Sequence, residues 1–143
     1  MFLPDELIFL SPDVSAPVAA SGSFARRVCV LALAEPEFPA NREFLSRVLA
    51  AVRLNLDKDT LFAEFPGTMQ FSFVQELKNR QPEYVLVFGG TPAQMGLRIE
   101  APLYRPLVFY GVNWLFADAL SVLEPDKNKK GQLWSALKQV FLG

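Results

Sequence analysis

The chain has 143 residues, 51% hydrophobic and 20% charged, with 14 basic against 15 acidic side chains, thirteen Phe, one Cys and no His. That length and apolar content suit a single domain with a real core and exclude a disordered chain. The missing histidine and lone cysteine exclude a Ser/His/Asp or Cys/His nucleophilic site, a disulfide framework and an all-cysteine metal centre, and a net charge of −1 offers no global field for nucleic acid.

Met1 to Leu10 is apolar but broken by Pro4, Asp5 and Glu6, and it lacks the basic region of a signal peptide. Ser11 to Ser23, rich in Ser, Ala and Pro, reads as a tether. The first ten residues are either an edge element of the core or a docking segment in which Phe2, Leu3, Leu7, Ile8 and Phe9 make the contact. Arg27 to Ala34 is a continuous apolar run of the kind that forms a parallel strand covered on both faces, and Cys29 within it reads as a buried, inert thiol. Glu35 to Ala40 is a loop held open by two prolines; Asn41 then reads as an N-cap for a helix carrying Phe44, Leu45, Val48, Leu49 and Val52 on one face.

Thr60 to Phe65 reads as a second strand, closed by Pro66-Gly67. Ser72 and Gln75 have capping-box spacing before a helix with Phe73, Val74 and Leu77. Tyr84 to Phe88 is a third strand, followed by Gly89-Gly90-Thr91-Pro92 and a short helix to Met95. Leu107 to Tyr110 reads as a fourth strand, with Asn113 to Phe116 either an extension of it or a loop. From Asp126 onward, Leu133, Trp134, Leu137, Val140 and Phe141 mark an amphipathic helix whose outer face carries Lys127, Lys129, Lys130 and Lys138. The alternation predicts an α/β fold: a three-layer α/β/α sandwich around a central four-stranded parallel sheet, with one domain over residues 24–143 after the segment 1–23. No apolar run is long enough to span a bilayer, so the expected location is cytoplasmic.

In such a sheet ligands bind beyond the carboxyl ends of the strands, where Glu35, Phe38, Gly89, Gly90, Thr91, Phe116 and Asp118 should converge. Glu35, Glu37 and Asp118 could pair for acid/base work, or be solvated loop charges. Gly89-Gly90-Thr91 could hold an anion on its amides or simply make a tight turn, since neither GxGxxG nor GxxxxGK[ST] is present. Phe38, Phe116 and Trp134 could stack bases or pack the core, and the lysines near residue 127 could touch phosphate or merely be solvated.

The order of these segments resembles the uracil-DNA glycosylase fold over most of the chain after about residue 26. Arg27 to Phe65 resembles its opening strand, loop and helix. Pro82 to Gln94 looks like the third-strand segment of the iron–sulfur branch, and Phe116 to Val140, with Glu124-Pro125-Asp126-Lys127 and Trp134-Ser135-Ala136-Leu137-Lys138, is similar to the final segment. The chain departs from the family where chemistry resides. Ala117 stands at the position of the family's histidine, the cluster cysteines are absent, and Ala34 to Ala40 replaces the water-activating loop. A non-catalytic scaffold of this kind resembles the psi subunit of bacterial DNA polymerase III, with Ala117 to Ser121 and Gln132-Leu133-Trp134 in comparable places. That resemblance implies no cofactor and no reaction. It implies instead a protein-interaction subunit joining the clamp loader to single-stranded-DNA-binding protein through the first residues of the chain, without strong direct nucleic-acid binding. The competing expectation is a small-ligand or nucleotide-binding domain, or a remote enzyme, using the crevice.

Overall fold

Continuous apolar runs become the interior strands. In a computed structural model that describes residues 22–35, 41–66 and 80–142, strand β1 (Val28–Leu33) is buried from Val28 to Ala32. It pairs in parallel with β2 (Thr60–Phe65) on one side and β3 (Tyr84–Phe88) on the other. β5 (Val112–Ala117) continues the sheet in parallel beside β3, and β4 (Leu107–Phe109) closes it as an antiparallel edge. The order is β2-β1-β3-β5-β4.

The sheet therefore has five strands rather than four, mostly parallel, and the segment expected as the fourth parallel strand is the antiparallel edge. The reason is a two-residue hairpin turn. Tyr110 and Gly111 both hold positive φ, 57° and 68°, the combination that reverses a strand tightly with the correct twist. The parallel place beside β3 falls to the return strand.

Alternation along each strand feeds two cores. Val28, Val30, Phe62, Leu86, Phe88 and Leu115 face one layer, which is covered by helices α1 (Asn41–Ala50), α2 (Leu56–Asp59), α3 (Leu120–Leu123) and α4 (Lys127–Phe141). Cys29, Leu31, Phe65, Val87, Trp114 and Phe116 face the other, covered among the described residues by Met95 and Leu97 beside the 3-10 turn Ala93–Met95. The helix expected over Ser72 to Leu77 lies outside the described residues, as do residues 1–21. Trp114 is fully buried, stacks on Phe116 at 5.9 Å, and donates its indole N–H to the Phe109 carbonyl at 2.9 Å. The ring thus fills the core while its polar atom ties the edge strand to the sheet.

Local chemistry sets the helix ends. Asn41 is the first residue of α1 and its amide donates to Glu64 Oε2 at 2.8 Å, linking the helix to β2. The helix stops where Arg53 takes φ 65°: the Leu54 amide returns to the Leu49 carbonyl and Arg53 to Ala50, while Leu49 and Leu54 lie in the same core. This pair of hydrogen bonds with its apolar contact is a Schellman stop. Asn55 then caps α2, accepting from the amides of Asp57 and Lys58. Asp126 caps α4 by accepting from Lys129 N at 3.0 Å, where the sequence placed the helix start.

Candidate functional site

The carboxyl ends of β1, β3 and β5 meet, as the topology requires, and they meet each other. Gly89 N donates to the Ala117 carbonyl at 2.9 Å. At φ 85°, a Cβ on Gly89 would lie 2.8 Å from Leu33 Cβ and 3.1 Å from Ala119 Cβ. A Cβ on Gly90 would lie 2.8 Å from the Phe65 ring and 2.9 Å from Val87. Close packing among the ends of β1, β2, β3 and β5 therefore accounts for both glycines.

The carboxylates at this end have structural partners. Ala119, the residue before α3, caps nothing with its side chain. Glu35 supplies the missing acceptor from the end of β1: its carboxylate takes the Ser121 amide at 3.2 Å and the Ser121 hydroxyl. A negative group at an orphan amide and a hydroxyl of a helix start is favoured by hydrogen bonding and by the helix dipole. Asp118 accepts from the Tyr104 hydroxyl and sits 3.5 Å from Lys129 Nζ. The two carboxylates are thus engaged separately. Thr91 Oγ1 accepts from Gln94 N at 3.2 Å and shapes the 3-10 turn. Phe116 points into the core beneath Trp114, while Phe38 and the segment holding Phe2, Leu3, Leu7, Ile8 and Phe9 lie outside the described residues.

Among the described residues, two further concavities lie on α4. Between α1 and α4, Val48, Ala51, Leu133, Trp134 and Leu137 form an apolar slot of about 130 Å³, room for one side chain. Trp134 is 37% exposed there, with Lys138 Nζ 5.3 Å from its ring centroid. The helix face expected to bury Trp134 thus leaves the ring at its margin.

The second is a groove of about 780 Å³ between α4 and the segment Leu103–Arg105. Tyr104 forms its wall with φ 63°, a left-handed conformation costing about 1–2 kcal/mol for a residue with a Cβ. Its amide donates to the Phe116 carbonyl at 2.8 Å and its hydroxyl to Asp118, so both ends of the residue are fixed. Burial, reinforced by the bond to Asp118, holds the Tyr104 hydroxyl well above the ordinary tyrosine pKa. Opposite it, α4 presents Asn128, Gln132, Ser135 and Gln139. The sequence signal was available: four uncharged polar residues at 4-3-4 spacing, with Gly131 in the second turn.

Among the described residues no group of three or more Asp, Glu, Cys or His side chains is placed to hold a metal, and no helix is long and apolar enough to cross a membrane. No protein-family model matches the chain, and no curated protein matches it.

Proposed function

We propose that the chain is a non-catalytic protein-interaction module. The supporting observation is the use made of the strand ends. Gly89 packs against Leu33 and Ala119, Glu35 is committed to the start of α3, and Asp118 to Tyr104 and Lys129. A crevice meant for a ligand keeps its polar groups convergent and free to meet it. Here they serve the fold.

The resemblance to a glycosylase scaffold without its histidine, and to psi, names the partner class: a clamp-loader subunit or single-stranded-DNA-binding protein. In this reading Phe2, Leu3, Leu7, Ile8 and Phe9 dock one partner, and the α4 side of the domain faces another. Affinity purification of the tagged full chain from its native host, with mass spectrometry of what co-purifies, is the test. Reproducible recovery of clamp-loader components supports the assignment, and removal of residues 1–10 should then lose one partner while leaving the thermal transition in place. Uracil release from DNA by the purified protein, abolished in Glu35→Gln, would overturn it.

A further inference from the structure

Two local preferences of the chain are broken on opposite walls of one groove. Tyr104 holds a left-handed backbone that favours glycine, and Gly131 sits in the second turn of a fifteen-residue helix whose interior favours almost anything else. Internal packing explains Gly89 and Gly90, but it does not explain Gly131: a Cβ built there meets nothing within 4 Å. The room it leaves opens into the groove. Departures from local preference without an internal cause are where binding sites are expected.

The chemistry of the lining narrows the occupant. Asn128, Gln132, Ser135 and Gln139 each donate and accept, and they lie along one stripe of α4. Lys127, Lys129, Lys130 and Lys138 do not line the groove; among the described residues that do, Arg105 alone is charged, with half-exposed Leu103 beside it. A row of amides matches a peptide backbone, which offers one donor and one acceptor per residue. From Asn128 to Gln139 the stripe runs about 16 Å at 1.5 Å per residue, the length of roughly five residues of extended chain. Nucleic acid fits less well. It calls for several cations and an open aromatic face, whereas the groove holds one arginine and a tyrosine packed against the core with its hydroxyl engaged.

We propose that this groove binds an extended peptide segment of about five residues, with a carboxylate paired to Arg105 and an apolar side chain over Leu103. The proposal rests on the interaction-module reading and gives it a site.

The test is selection of a phage-displayed random heptapeptide library on the full-length chain, followed by fluorescence anisotropy of the enriched peptides. Enriched sequences should carry Asp or Glu together with an apolar residue. Gly131→Leu, which fills the groove from a helical position with open space around it, should weaken them at least tenfold while its circular dichroism matches the parent and its melt is no lower. Arg105→Ala should weaken them severalfold, and Lys138→Ala should leave them unchanged. Peptide addition should shift the amide resonances of Gly131 and Ser135. Failure to enrich any sequence, or equal affinity for Gly131→Leu, overturns the proposal. So does groove-dependent binding of a fifteen-nucleotide oligo(dT) in place of peptide. A host partner captured equally well by Gly131→Leu would sink the groove assignment and leave the interaction module standing.

Discussion

Gly89→Ala is the sharpest probe of the closed strand ends. Placing a Cβ at φ 85° costs about 1–2 kcal/mol in backbone strain. Its approach to 2.8 Å from Leu33 Cβ and 3.1 Å from Ala119 Cβ adds about 1–3 kcal/mol, because neither neighbour has a flexible end to move aside. Reduced freedom of the unfolded chain returns about 0.4–1 kcal/mol. The net loss is about 1–4.5 kcal/mol, which at a urea slope near 2 kcal/mol per M lowers the midpoint by roughly 0.5–2 M. Gly111→Ala is the control: φ is 68° but nothing lies within 4 Å, so only the strain remains, a loss of about 1.5 kcal/mol or less. Urea titrations followed by circular dichroism decide the comparison. If Gly89→Ala loses no more than Gly111→Ala, the strand ends have slack, and the argument that they leave no room for a ligand collapses.

Gly131→Ala should instead stabilise the protein by about 1 kcal/mol, read as a higher urea midpoint, because the helix gains a better former and nothing is displaced. Glu35→Ala should cost about 1–2 kcal/mol by stripping the acceptor from the start of α3, whereas Glu35→Gln keeps an oxygen for Ser121 and should cost less; equal losses would show that the bonds to Ser121 do not matter. Tyr104 holds its proton more tightly folded than unfolded, so its contribution is intact below about pH 10 and declines as pH rises from there toward the higher folded value. Urea midpoints measured across that range should fall, and the part due to Tyr104 should vanish in Tyr104→Phe.

The elements most legible in the sequence were those whose environment is uniform. Thr60–Phe65, at an edge of the sheet, and Tyr84–Phe88, inside it, match their expected bounds because both parallel strands are buried on both faces and need no phase. The edge was harder. Leu107–Phe109 and Val112–Ala117 are both apolar, and the turn between them is Tyr110-Gly111 rather than Asn-Gly or Asp-Gly, so the signal for reversal rested on one glycine. Helix α2, four residues long, has no periodicity to read, and only Asn55 announces it. At the site, topology correctly brought Glu35, Gly89 and Asp118 to one end of the sheet. Sequence could not foresee that Ser121 and Tyr104 would claim the carboxylates: Ser121 lies 86 residues from Glu35, and Tyr104, only 14 from Asp118, reaches it from an irregular segment with no pattern to read. Phe116 shows a different limit: membership of β5 placed it near the crevice, but alternation with Trp114 and Val112 turned it inward.

The sheet order also has a consequence in time. β1 is the earliest of the five strands to be synthesised, yet it lies inside the sheet, flanked by β2 and β3. Val28 must wait for Thr60 on one edge and for Tyr84 on the other, and Tyr84 in turn waits for Asn113; the β4–β5 hairpin is the pairing that forms between near neighbours. Pairings between distant residues are slow, and exposed apolar strands are hazardous while they wait. A nascent chain arrested between residues 66 and 84 would carry Val28–Leu33 with one edge open. That six-residue stretch is where a ribosome-bound chaperone would have most to shield.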